Sequence, residues 1–140
     1  MSPNVVITVQ ATVHAPVERV WKCWTNPAAI VQWNHASEDW HSTKAENDLR
    51  PGGRFSCRME AKDGSMGFDF SCIYDAIVAQ ERIHYTLDDG RKVQIEFTAA
   101  KEHTVVVESF EAENTNPIEL QRDGWQAILD NFKKFAEMDK

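Results

Sequence analysis

The sequence predicts an α+β fold in which a curved antiparallel sheet wraps around a long C-terminal helix. Three observations carry this expectation. A strand-like segment and two short helical segments come first. A run of hairpin-connected strands follows. From about residue 117 onward, apolar residues recur at helical spacing only.

The first strand is expected over residues 4–13, where Val5, Ile7, Val9 and Ala11 alternate with polar or small neighbours. Pro16 is placed to open a helix at its first position, where a missing N–H leaves no bond unmade. Val17, Val20, Trp21 and Trp24 then fall at i, i+3, i+4 and i+7 and form one apolar stripe. Asn26-Pro27 ends that helix and begins a second, short one carrying Ile30 and Trp33.

Strand and turn signals begin near residue 40. Arg50-Pro51-Gly52-Gly53 is a tight turn, after which Phe55, Cys57 and Met59 alternate with polar residues. Lys62–Ser65 forms a hairpin loop, and Phe68, Phe70, Cys72 and Tyr74 continue on one face. A phase shift near residues 75–77 predicts a β-bulge. Ile83, Tyr85 and Leu87 lead into the hairpin signal Asp88-Asp89-Gly90. Val93, Ile95 and Phe97 form the next strand, and residues 105–110 the last. Five hairpin-connected strands, with room for a sixth, make an antiparallel meander.

A helix is expected from about residue 117 to 137, with Trp125, Ile128, Leu129, Phe132 and Phe135 on its inner side. Asp123, Gln126, Asp130, Lys133 and Lys134 occupy the other side. Gly124 is expected to let this helix approach the sheet closely. No linker or repeat interrupts residues 1–140, so one domain is expected.

Composition bounds the function. The chain is 42% hydrophobic and 26% charged, an ordinary globular balance. A net charge of −7, with scattered basic residues, argues against nucleic acid and anionic membrane surfaces as partners. No apolar run approaches the roughly 20 residues needed to span a bilayer. The N-terminal segment lacks the basic and apolar regions of a signal peptide. Cys23, Cys57 and Cys72 show no metal-binding spacing and read as reduced, buried thiols of a cytoplasmic protein. Catalytic motifs such as GxSxG, HExxH and the Walker loop are absent. His35, Glu38, Asp39 and His41 are metal-ligating residue types, but their spacing fits no ligand template and the segment reads as a solvated loop. No metal and no cofactor are therefore expected.

The segments APVERVWKCWTNPAAIVQW (15–33), DLRPGGRF (48–55) and GWQAILDNFKKF (124–135), in that order, resemble the Hsp90 ATPase activator homologue-like domain family of the START-like (SRPBCC) superfamily. The resemblance implies the helix-grip fold, with an internal cavity between the long helix and the sheet. Its implied partner is a small hydrophobic molecule, lipid-like or aromatic and polyketide-like. The expected cavity residues are Trp33, Trp40, Phe70, Tyr85, Phe97, Glu108, Trp125 and Leu129, with Trp33 and Trp40 flanking the mouth. Trp21 and Trp24 are assigned to the core.

Glu108 bears most directly on chemistry. In TVVVESF, either Val105, Val107 and Ser109 face inward, or Val106, Glu108 and Phe110 do. The family pattern favours the second register, which puts a carboxylate in an apolar pocket. Such a group needs a donor, a cation or a raised pKa, and Arg58, Tyr74 and Tyr85 are candidate partners. The alternative to pure binding is a cyclase, dehydratase or hydrolase that uses this carboxylate. A chaperone-interaction module is a third reading, although the family's namesake has an additional N-terminal domain for which this chain has no room.

Overall fold

A computed structural model describes residues 5–138. Its elements run β1 (Val6–Val13), α1 (Val17–Thr25), α2 (Pro27–Trp33), β2 (Trp40–Asn47), β3 (Arg54–Ala61), β4 (Gly67–Val78), β5 (Arg82–Leu87), β6 (Lys92–Ala99), β7 (Thr104–Glu111) and α3 (Ile118–Met138). The seven strands form one antiparallel sheet in the order β1-β7-β6-β5-β4-β3-β2. Consecutive strands from β2 to β7 are neighbours, and β1 closes the meander beside β7. This is the curled sheet and long helix of the helix-grip arrangement.

Residue 4, where the first strand was expected to start, lies outside the described residues. Pro16 is the N-cap of α1, with extended φ −68° and ψ 155°, rather than its first helical residue. Asn26 both ends α1 and caps α2, its Oδ1 accepting from the Ala28 N–H at 3.0 Å. Six strands follow the helices, because the polar segment Trp40–Asn47 pairs with β3 as β2. Trp40 and His41 are thus strand residues, and only residues 34–39 of the polar segment join α2 to β2.

The two edges of the sheet are covered differently. α3 packs on β1, where the Gln126 side chain donates to the Gln10 carbonyl at 3.1 Å, and α2 packs on β2. α3 also contacts α1 and α2, and Arg19 Nε donates to the Ala136 carbonyl at 2.7 Å. The core includes Ile7, Val13, Val20, Ile83, Ile95, Val106, Phe110, Leu129 and Phe132. Cys23, Cys57 and Cys72 are buried within or beside it, and among the described residues no disulfide joins them.

The expected bulge lies between Tyr74 and Ala76. The Arg50–Gly53 turn docks against it: the Gly52 N–H donates to the Tyr74 carbonyl at 2.8 Å, and the Tyr74 N–H donates to the Gly53 carbonyl at 3.0 Å. Gly52 has φ +83°, and a Cβ on Gly53 would lie 2.1 Å from the Asp48 carbonyl oxygen. Both glycines are therefore required by the turn. The DLRPGGRF segment fastens the β2–β3 connection to the bend of β4 and so fixes Tyr74 facing inward.

Candidate functional site

A cavity of about 370 Å³ lies between α3 and the concave face of the sheet. It exists because α3 rests on β1 and the short helices, leaving its other side spaced away from β3, β4 and β5. Phe55 and Met59 of β3, Phe70 and Tyr74 of β4, and Ile83 and Tyr85 of β5 line the sheet side. Trp24, Ile30 and Trp33 come from the short helices, and Trp125 and Ile128 from α3. Phe68 (47% exposed) and Leu120 (59% exposed) also line the cavity and mark its mouth.

The inner end is an aromatic cluster. Phe132 lies edge-on to Trp24 at 4.8 Å and to Trp33 at 4.9 Å between ring centroids. The Trp33 indole N–H donates to the Cys23 carbonyl at 3.0 Å, which satisfies its one polar atom. On the facing side, Trp125 stacks on Phe110 and meets Phe70 at 6.4 Å. A polar latch closes the β7–α3 connection. Buried Gln121 accepts from the Glu113 N–H at 2.9 Å and donates to the Asn116 carbonyl at 2.8 Å.

Glu108 faces the cavity and is only 6% exposed, in register with inward Val106 and Phe110. Its neighbours across the sheet are Val9 on β1 and Ile95 on β6, both buried and apolar. Among the described residues, no hydrogen bond or ion pair engages its carboxylate. Burial accordingly pushes the Glu108 carboxyl up to about 8. Of its expected partners, Arg58 lies on the outer face, bound to Glu60 at 3.0 Å and Asp69 at 3.5 Å. The Tyr74 hydroxyl donates to Asn47 Oδ1 at 2.7 Å. Tyr85 shares the cavity wall with Glu108, and burial, followed by the nearby Glu108 charge, holds its phenol well above the ordinary range.

Of the eight expected cavity residues, the structure brings Trp33, Phe70, Tyr85, Glu108 and Trp125 together on the wall. Trp33 is buried at the inner end rather than at the mouth. Trp40, Phe97 and Leu129 are not on the wall. Trp40 packs behind the rim against Phe68, with centroids 5.8 Å apart. Phe97 lies under α1, edge-on to Trp21 at 5.3 Å and to Trp24 at 5.7 Å. Leu129 is wholly buried, one helical step of about 100° around α3 from wall residue Ile128.

Two other expectations change. Trp24 lines the cavity as well as packing in the core. Gly124 does not press on the sheet: a Cβ there would meet nothing within 4 Å, and the glycine is part of the wall. The inward alternation of β3 and β4 was the signal for Phe55, Met59 and Tyr74. Arg91 and Gln121 carried no pattern of their own.

The polar segment after α2 binds through its backbone. Asn131 Nδ2 donates to the His35 carbonyl at 2.6 Å. His35 Nδ1 is buried without a hydrogen bond, and burial, then Lys62 and His41, lower its pKa below the ordinary value. Among the described residues, no group of His, Cys, Asp and Glu is arranged to hold a metal ion, and no helix is long and apolar enough to cross a membrane.

Comparison with known proteins agrees with this architecture. The AHSA1-like protein of Aeromonas hydrophila is 43% identical and superposes with a TM-score of 0.90, over 95% of this chain and 92% of that one. A protein of Cytophaga hutchinsonii is 53% identical, with a TM-score of 0.81 over 94% and 91% of the two chains. One from Chromobacterium violaceum is 26% identical, with a TM-score of 0.86 over 98% and 100%. No curated protein matches the chain. The profile of the Activator of Hsp90 ATPase homolog 1-like protein family matches residues 14–137, and the chain belongs to that family.

Proposed function

We propose that the protein binds a small hydrophobic molecule, lipid-like or aromatic, in the cavity between α3 and the sheet. The supporting observation is the cavity itself: about 370 Å³, aromatic on most sides, with one buried carboxyl in its wall. That volume is within the usual range for small-molecule pockets, about 300–1,000 Å³. A rigid aromatic wall with few polar groups favours apolar bodies and orients them through the polar group.

Titration with N-phenyl-1-naphthylamine, followed by amide shift changes, tests this reading. Saturable shifts should cluster around Trp33, Phe70 and Trp125 and leave the outer face near Lys133 quiet. Changes confined to the Arg50–Gly53 turn, or no saturable response, would overturn it.

Acid–base catalysis of the cyclase, dehydratase or hydrolase type is a second reading. It is favoured by a carboxyl that titrates near neutrality, where proton transfer in either direction is accessible. Turnover of a bound ligand that is lost in Glu108→Gln would distinguish it from binding alone.

A further inference from the structure

We infer that the ligand carries a protonated amine on its apolar body, and that Glu108 is the counter-ion. The inference rests on the cavity-binding reading and names the chemical class of its ligand.

The charges on the wall point this way. The cavity is lined by two acidic side chains, Glu108 and Glu113, the latter accepting from Asn116 Nδ2, and by one cation, Arg91. Arg91 is already engaged, its Nε with Asp89 at 2.8 Å and its NH1 with the Glu111 carbonyl at 3.3 Å. An anionic amphiphile such as a fatty acid would hold Glu108 in its neutral form and meet the charge of Glu113. An ammonium instead draws Glu108 into its ionised form and is attracted by both carboxylates.

Glu108 is built for such a partner. Its carboxyl is almost wholly buried, flanked by Val9 and Ile95, and takes no hydrogen bond among the described residues. Once Glu108 is ionised there, little water screens its attraction for a counter-ion, and that attraction must exceed the cost of drying the ammonium. The same wall presents the rings of Trp33, Phe70, Tyr85 and Trp125, whose π faces attract ammonium groups. A neutral alcohol or ketone satisfies Glu108 by one hydrogen bond but draws no cation–π attraction from the rings.

Proton balance supplies a second signature. Near neutral pH, burial keeps Glu108 mostly protonated unless a cation reaches it. Of the titratable groups on the wall, Tyr85 interacts with Glu108, and it and Tyr74 are held neutral by burial, while Arg91 and Glu113 carry charge. Val9 on β1, Ile95 on β6 and Trp125 on α3 do not titrate. When an ammonium binds, the ionised form of Glu108 is favoured and its proton leaves to the buffer. The ligand's N–H bonds stay intact.

The test compares 2-(1-naphthyl)ethylamine, 2-(1-naphthyl)ethanol and 1-naphthylacetic acid by calorimetry near pH 7, in two buffers of different ionisation enthalpy. The amine should bind at least about tenfold more tightly than the alcohol, with the acid weakest. Its binding should release close to one proton per ligand, whereas the alcohol's should release none. In Glu108→Gln, the amine's advantage and the proton release should both disappear while the alcohol still binds. The wild-type comparison stands alone should that variant fail to fold. An amine that binds no better than the alcohol, or binds without proton release, overturns the inference while the cavity reading stands. Silence from all three probes overturns both.

Discussion

Trp125 of α3 lies face to face with Phe110 of β7, ring centroids 3.9 Å apart and planes 11° from parallel. Phe110 is 1% exposed, and Trp125 extends from the stack into the cavity wall. The pair therefore sets how far α3 stands from the sheet, and so the height of the cavity. Glu108 lies two residues before Phe110 on the same inward face, so the stack and the carboxyl are placed by one strand register.

The first prediction is a coupling. A double-mutant cycle of Phe110→Leu and Trp125→Leu should give an interaction energy of about 0.5–1.5 kcal/mol, the usual value for an aromatic pair beyond its burial. Urea denaturation of the four proteins measures it. Strict additivity would mean that the stack does not hold the helix.

The inner face of α3 should divide into two energetic classes. Phe132 is fully buried between Trp24 and Trp33, and its replacement by Ala should cost about 3–5 kcal/mol. Ile128 borders empty space and is only partly buried, so Ile128→Ala should cost less, about 1–2 kcal/mol. Equal shifts in denaturation midpoint would contradict the position of the cavity.

This division shows what was legible in the chain. The inner face of α3, the bulge after Tyr74 and the pairing of hairpins follow from apolar periods of 3.6 and 2 and from turn residues. The register that turns Glu108 inward also needed the family pattern, since TVVVESF alone permits both faces. β2 was obscured because WHSTKAEN is a polar edge strand whose burial does not alternate. The cavity wall was only half legible. Periodicity tells which residues face inward, but not which inward residues meet the helix and which meet the gap. That depends on α3 leaning toward β1, a tertiary choice that separates Ile128 from Leu129 and Phe70 from Phe97.

Gly124 should trade stability against space. A mid-helix glycine costs about 0.5–1 kcal/mol relative to alanine, and nothing here obstructs a Cβ. Gly124→Ala should therefore raise the unfolding free energy by a comparable amount, read from urea denaturation. Gly124→Leu should project into the cavity and weaken N-phenyl-1-naphthylamine binding at least about tenfold. A stable leucine variant with unchanged binding would show that the probe sits elsewhere.

Glu108 should make stability fall as pH rises, the reverse of a salt-bridged carboxylate. Its folded-state pKa is raised to about 8 from the ordinary 4.5, with burial as the cause. Below the unfolded value both states are protonated and the carboxyl costs nothing extra. Between the two values the unfolded chain ionises freely while the folded chain holds its proton, so the folded state loses ground with each step up in pH. Above about pH 8 both states are ionised and the loss levels off. Since one pKa unit is about 1.4 kcal/mol, the full effect is of the order of a few kcal/mol. Glu108→Gln removes the titration while keeping the shape, and Glu108→Leu also removes the polar group. Relative to the wild type, both should gain roughly 2–4 kcal/mol between acid and alkaline pH. Urea midpoints of the three proteins across that range measure the difference. A wild type that instead gains on its variants with rising pH would place a cation beside Glu108, and its carboxyl would then be a paired charge rather than an open one.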